Sequence, residues 1–159
     1  MDADQAFRAL RFCQTAFTGL MGGAAMYISL IEHPARMSIQ DTESAHKQFS
    51  SSFDLAARYM AIGSIFPMGG GLLAYYINPK EGLPCAIVAG LYFVNVPYSF
   101  LFLIPNYVKP IQGDYDTVSK KYSEKQLRDT IDSWAFFHTL RTVVDVSGFL
   151  YGLYCLMYH

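Results

Sequence analysis

The chain has 159 residues, enough for one domain, and 52% of them are hydrophobic while only 16% are charged. Soluble domains carry about 25% charged residues, so this composition and the mean hydropathy of +0.19 favour a membrane protein over a soluble one. The formal net charge of −1 argues against nucleic acid as a partner, because phosphate binding needs a basic surface.

The first apolar stretch covers residues 12–31, which is long enough for a membrane span of roughly 20 residues. The residues before it mix acids and bases, whereas a secretory signal begins with a basic region and ends at a small-residue cleavage site. Apolar residues continue past the small residues at 22–25, so we expect a retained span. Gly19 and Gly23, four residues apart, predict close helix packing.

Three further apolar stretches complete a pattern of four spans: 59–77, 83–104 and 134–157. The second and third are joined by the turn sequence at 78–82, which is short enough to require an antiparallel hairpin. The sequence therefore predicts an all-α fold: an integral membrane four-helix bundle that forms a single domain over residues 1–159.

The other two connections are longer and polar, and each carries a pattern typical of a helix start. Ser51 lies three residues before Asp54, and Ser123 lies three residues before Gln126. We expect short amphipathic helices on the cytoplasmic side to lead into the second and fourth spans. Pro67 and Pro97 predict kinks within their spans, and the third span is expected to end at Pro105.

Lysine and arginine residues are concentrated on one side of the predicted spans. That side comprises the connections after the first and third spans together with the flanks of the second and fourth. Its basic residues are Arg36, Lys47, Arg58, Lys109, Lys120, Lys121, Lys125 and Arg128, against only Arg8, Arg11 and Lys80 opposite. The excess predicts that this side is cytoplasmic. Both termini of this multi-pass protein of an endomembrane or the plasma membrane would then be non-cytoplasmic.

The fourth span carries Trp134, His138, Arg141 and Asp145 in steps of four, three and four residues, which place all four on one helical face. Charges at that depth must face the bundle interior. The other spans supply polar side chains at similar depths: Glu32, His33 and Arg36 after the first span, and Asn95, Tyr98 and Asn106 in or near the third. The far half has almost no ionisable side chain within a span. This asymmetry predicts a pocket that opens toward the cytoplasmic leaflet.

A purely structural interpretation of the same residues stays open. Arg141 with Asp145 and Glu32 with Arg36 are each four residues apart, so each pair can neutralise itself and hold helices together. Aromatic side chains near span ends are common at membrane interfaces, and a lone histidine can be an interhelical hydrogen bond.

Four motifs follow one another around these spans: EHPAR at 32–36, NVPY at 95–98, PN at 105–106 and WAFFHTLRT at 134–142. Their order and spacing resemble the large family of small four-helix membrane proteins that includes the fungal anthrone oxygenases. The resemblance covers residues 12–156. It implies a helical bundle in a membrane and, as in the characterised members, oxidation of an anthrone to an anthraquinone by O₂.

That reaction needs a base, a cation and a flat apolar slot, because the enolate of an anthrone passes an electron to O₂ directly. The resemblance therefore implies no flavin, haem or other cofactor. It also implies a set of roles. These are His138 as base, Arg141 or Arg36 as enolate-stabilising cation, Glu32 orienting His33 or His138, and Asn95, Asn106, Asp145, Trp134, Tyr98 and Tyr27 as substrate-binding residues.

Two other functions stay open. His33 and His138 with Glu32 or Asp145 offer two imidazoles and a carboxylate, the ligand types of a non-haem metal centre in a membrane oxidoreductase. Alternatively, the chain is a non-enzymatic carrier of a lipophilic or quinone-like ligand, which would need the arginines and the slot but not His138. The expected partners are a small lipophilic substrate and the lipid bilayer, and a homo-oligomer is compatible with either function.

Overall fold

The computed structural model describes residues 2–158, and in that range the chain is helical with short connections and no strand. The helices are α1 (Ala3–Tyr27), α2 (His33–Met37), α3 (Thr42–Ile77), α4 (Pro79–Pro97), α5 (Tyr115–Val118) and α6 (Glu124–Tyr158). Two π-helical segments, Ile28–Glu32 and Tyr98–Val108, continue α1 and α4 without a break, and a 3₁₀ turn, Lys109–Ile111, follows the second.

Four long helices pack side by side in a closed ring in which α1 contacts α3 and α6, and α4 contacts the same two helices. The N-terminal part of α1 lies against the end of α3 and the start of α4, since Phe7 packs with Ala74 and Cys85. The same end of α1 meets the end of α6, where Arg11 donates a hydrogen bond to the Cys155 carbonyl. Neighbouring helices in the ring are therefore antiparallel.

Three helical stretches are long and apolar enough to cross a membrane: Thr42–Ile77, Pro79–Ile111 and Glu124–Tyr158. They contain the predicted spans at 59–77, 83–104 and 134–157. The predicted first span, 12–31, lies within α1 and its π-helical continuation. Large apolar side chains such as Leu55, Tyr76 and Leu101 are exposed around the outside of the ring, as expected where lipid replaces water.

The segments predicted to form short amphipathic helices are helical, but they are the first turns of α3 and α6 and continue into the spans without a break. Helix α3 begins at Thr42 and not at the predicted start, Ser51. The Asp41 side chain caps it by accepting a hydrogen bond from the Ser44 amide, and no glycine or proline interrupts it before Gly63. The predicted helix start at Ser123 is confirmed: the Ser123 amide donates to Gln126 Oε1, and the Gln126 amide donates to Ser123 Oγ.

The helix that contains the predicted third span does not end at Pro105, because the π-helical segment continues to Val108. A proline has no backbone N–H, so Pro105 donates no hydrogen bond to the preceding turn. On the same segment, the Asn106 side chain donates to the Phe102 carbonyl at 2.6 Å.

Of the predicted Gly19–Gly23 pair, only Gly19 lies at the close contact between α1 and α6. A Cβ at Gly19 would lie 2.8 Å from the Phe149 ring, whereas nothing lies within 4 Å at Gly23. A Cβ at Gly22 would lie 3.6 Å from the Asp145 backbone, which is an ordinary contact distance. Arg11, just before the predicted first span, is buried at the far end of the ring and stacks on Phe7.

Candidate functional site

A cavity of about 300 Å³ lies inside the ring, at the level of the two π-helical segments. Helix α3 supplies most of its apolar wall together with Ser52 and Ser64, and the other polar residues come from α4 and its continuation, from α6 and from Glu32. The lining residues are Ile28, Glu32, Ser52, Phe53, Ala56, Ala57, Met60, Ala61, Ser64, Ile65, Met68, Asn95, Val96, Ser99, Phe100, Leu103, Ile104, Trp134, His138 and Arg141. An apolar cleft of this size with a few convergent polar groups is the usual form of a small-molecule site.

His138 is the buried imidazole of this cavity and is only 4% exposed. Its ring lies against the Trp134 indole, with the centroids 5.0 Å apart and the planes 29° from parallel. Nδ1 lies 3.2 Å from Ser29 Oγ in the first π-helical segment, while Nε2 makes no hydrogen bond with the described residues. The ring is thus fixed through one nitrogen and leaves the other available to a ligand.

Hydroxyl groups connect His138 Nδ1 to the backbone around it. Thr142 Oγ1 lies 3.1 Å from the His138 carbonyl and 3.0 Å from Ser29 Oγ, and it lies 3.4 Å from the Ala25 carbonyl and 3.5 Å from Nδ1. A carbonyl only accepts hydrogen bonds. If Nδ1–H donates to Ser29, Ser29 to Thr142, and Thr142 to the His138 carbonyl, each of the three shortest contacts holds one proton. This tautomer leaves a lone pair on Nε2, as a base requires.

Arg141, three residues along α6, is the cation of the cavity, and its side chain is loosely held. Its Nε lies 3.8 Å from Asp145 Oδ2, and neither atom has a hydrogen-bond partner. Its Nη1 donates a long hydrogen bond of 3.4 Å to Ser99 Oγ in the second π-helical segment. Asp145 is itself held at 2.7 Å by the Asn95 side chain. The guanidinium therefore retains donors for an anionic oxygen of a ligand.

Arg36 lies behind the cavity wall and is 1% exposed. It donates to Glu32 at 2.5 Å, to Ser52 at 2.9 Å and to Gln48. Its guanidinium carbon lies 5.9 Å from the centre of the Trp134 ring. Burial lowers the pKa of Arg36 from its ordinary value, and the Glu32 carboxylate opposes that effect. With these partners Arg36 supports the wall and does not present its charge to the cavity.

Five of the eleven predicted site residues line this cavity: Glu32, Asn95, Trp134, His138 and Arg141. Arg36 and Asp145 lie directly behind it. The other four lie elsewhere in the fold: His33, Tyr98, Asn106 and Tyr27. His33 faces Asp132 on α6, with Nε2 3.0 Å from the carboxylate, and Tyr98 donates to the Phe137 carbonyl.

Asn106 is exposed and bonded to its own helix, and Tyr27 is 57% exposed. Neither side chain lines this cavity.

The apolar wall contributed by α3 was not among the predicted site residues. The sequence does carry a signal for it, because Ala57, Ala61 and Ser64 are small residues spaced four and three apart, on one face of a helix. Among residues 2–158, no three histidine, cysteine, aspartate or glutamate residues come close enough to hold a metal ion. The metal alternative therefore has no assembled ligand set in the described part of the chain.

The comparisons with known proteins give one match. The family model described as anthrone oxygenase matches residues 49–151, which is 103 of the 159 residues. The matched range contains the cavity residues of α3, Asn95 of α4, Ser99 of the second π-helical segment and the Trp134–Arg141 face of α6. No match was found to a curated protein or to a solved structure.

Proposed function

The chain belongs to the anthrone oxygenase family, and on that premise we propose that it is a membrane-embedded, cofactor-independent oxygenase of a planar phenolic substrate related to anthrone. The observation that carries the proposal is the placement of His138. Its Nδ1 is bonded to Ser29 and its ring lies on Trp134, while His138 and Arg141 both line one apolar cavity.

In the proposed reaction, His138 Nε2 takes a proton from the methylene carbon opposite the anthrone carbonyl. The electron pair of that C–H bond passes into the ring system and places negative charge on the carbonyl oxygen, which Arg141 stabilises. Asn95 and Ser99 lie beside Arg141 and are placed to orient that oxygen.

The enolate then gives one electron to O₂. The resulting superoxide and carbon radical combine to a peroxide anion at the former methylene carbon, and the His138 imidazolium protonates it to the hydroperoxide. His138 Nε2 then takes the remaining hydrogen of that carbon, and the electron pair of this C–H bond forms the second carbonyl as the O–O bond breaks and hydroxide leaves. The imidazolium protonates the hydroxide, so that anthrone and O₂ become anthraquinone and water with O₂ as the only oxidant.

We also propose that α1 crosses the membrane as a fourth span, since it closes the ring between α3 and α6. The beginning of α1 and the end of α6 lie at the same end of the ring, as the Arg11–Cys155 contact requires. Both termini are therefore on one side, which we assign as non-cytoplasmic because lysine and arginine are concentrated at the other.

Oxygen uptake with anthrone as substrate tests the proposal. Purified protein in detergent should consume O₂ faster than a protein-free blank, and His138→Asn should lower the rate by about 10²–10⁴-fold, the usual contribution of a positioned base. His33→Asn is the matched control. His33 is also a histidine that bonds to α6, but it faces Asp132 outside the cavity, so its rate should equal that of the wild type.

A non-enzymatic carrier is the second candidate, favoured by the largely apolar lining of the cavity. Equal oxygen uptake by the wild type and His138→Asn, with anthrone still bound, would support the carrier and end the oxygenase proposal.

A further inference from the structure

The wall of the cavity has a gap on one side. Helix α3 packs along α4, but it makes little or no close contact with the π-helical continuation of α4, which packs against α6 instead. The cavity occupies the space left between them, since its lining includes Ser52–Met68 positions on one side and Val96–Ile104 positions on the other. Both of these stretches belong to candidate membrane spans.

Exposure of the lining residues shows where the gap opens. Ile65 is 61% exposed and Phe100 is 60% exposed, and Ala61 beside them is exposed as well. At the opposite end of the cavity, Trp134 and His138 are each 4% exposed. The cavity thus runs from an apolar, exposed rim between α3 and the π-helical segment to a buried polar end on α6.

The end of the ring that carries the long polar connections is closed. There a cluster of fully or nearly fully buried side chains packs between the cavity and the loops, and it includes Ile111, Leu127 and Ile131, each 0% exposed. A ligand arriving from water at that end would have to displace this cluster. The gap between the two spans has no comparable cover in the described part of the chain.

We propose that this gap is a lateral portal, through which a flat, uncharged lipophile passes from the hydrocarbon layer of the bilayer into the cavity. The small side chains of Ala57 and Ala61 leave the portal open, and Phe100 forms its opposite edge. With this portal, the substrate of the proposed function reaches the cavity from the bilayer and not from water. The portal rests on the proposed function only for the identity of the ligand.

The chain's single tryptophan, Trp134, lies at the inner end of the cavity and reports on access without any turnover. The full-length protein is reconstituted in phosphatidylcholine vesicles, and quenching of its fluorescence is measured with 1-bromooctane, which dissolves in the bilayer, and with acrylamide, which stays in water. A bromine atom quenches tryptophan fluorescence only when it comes into near contact with the indole ring. We expect 1-bromooctane to quench Trp134 and acrylamide to have little effect.

Matched variants test whether 1-bromooctane reaches Trp134 through the portal. Ala61→Phe places a ring in the portal and should lower 1-bromooctane quenching severalfold. Ile62→Phe is the control, because the neighbouring Ile62 is 62% exposed and does not line the cavity, and its quenching should equal that of the wild type. Phe100→Ala widens the rim and should raise quenching, so the test does not depend on the folding of one variant.

Equal quenching in Ala61→Phe and Ile62→Phe, or stronger quenching by acrylamide than by 1-bromooctane, would overturn the portal. Neither result bears on oxygen uptake. Conversely, a protein that fails to oxidise anthrone but shows this quenching pattern would retain the portal and lose the oxygenase.

Discussion

The Glu32–Arg36 pair allows a direct test of how much the wall behind the cavity depends on charge. Arg36 is 1% exposed, and Glu32 is the only carboxylate bonded to it among the described residues. Glu32→Gln keeps a side chain of the same shape that can accept the hydrogen bond, but it removes the negative charge. A buried cation left without its anion typically costs about 3–5 kcal/mol, so we expect Glu32→Gln to lower the free energy of unfolding by roughly that amount.

Replacing both partners should cost much less than replacing one. Arg36→Met fills the same space without charge, and exchange of a buried ion pair for apolar groups is often nearly neutral. The double variant Glu32→Gln/Arg36→Met should therefore be more stable than Glu32→Gln alone. The assay is reversible unfolding in mixed micelles with increasing dodecyl sulfate, followed by Trp134 fluorescence, since Arg36 lies against that indole.

Two outcomes would refute this reasoning. If Glu32→Gln costs less than about 1 kcal/mol, the pair behaves like an exposed salt bridge, and Arg36 is hydrated instead of buried. If the costs of the two single changes simply add in the double variant, the side chains are not coupled.

The remaining predictions concern positioning, packing and capping. Ser29→Ala should lower kcat severalfold and leave KM unchanged in steady-state oxygen uptake, because the hydroxyl orients His138 and does not line the cavity; a change in KM alone would contradict this. Gly71→Ala should lower the unfolding free energy by about 1–3 kcal/mol, because the new Cβ would meet the carbonyl of Cys85. Gly70→Ala, with nothing within 4 Å, should raise it by roughly 0.5–1 kcal/mol; equal effects would argue against the close α3–α4 packing. Hydrogen bonds from Ser44 lower the pKa of Asp41 from 3.8. The stabilisation from this cap is therefore complete above that value and lost as the pH falls through the lowered pKa. Thermal unfolding of Asp41→Ala should show a deficit at pH 7 that shrinks below pH 3.8.

Much of the cavity could be predicted because helical periodicity is a local property. Trp134, His138 and Arg141 fall on one face of α6 by their spacing alone, and the depth of Asn95 along its span follows from the antiparallel hairpin. The depth of Glu32 follows in the same way from its position at the end of the first span. All five of these residues line the cavity.

The predicted site residues that lie outside the cavity differ from the lining residues by their rotation about the helix. Neighbouring residues on a helix point about 100° apart, so Ile28 and Glu32 line the cavity while Tyr27 and His33 do not. The π-helical segment Tyr98–Val108 adds a second difficulty, because its hydrogen bonds join residues five apart instead of four. The prediction for Asn106 rests on its depth in the membrane, and depth does not fix the face on which a side chain lies. No sequence pattern marks a π-helix as clearly as the 3.6-residue period marks an α-helix.

The start of α6 after Ser123 could be predicted, but the continuity of the polar turns with the spans could not. A change from apolar to polar residues marks the edge of a span, but it does not end a helix, because backbone hydrogen bonds continue wherever propensity allows. For that reason one unbroken helix covers Thr42–Ile77 and another covers Glu124–Tyr158.

The central claim is that His138 is a base facing the carbon acid of an anthrone, and exchange of that carbon's hydrogens tests it most directly. Anthrone is incubated with protein in deuterated buffer without O₂, and deuterium at the methylene carbon is followed by mass spectrometry. The account predicts exchange well above the protein-free rate for the wild type and for His33→Asn, and exchange at the protein-free rate for His138→Asn. Exchange that is equally fast in the wild type and His138→Asn, or absent from both while anthrone is bound, would contradict the claim.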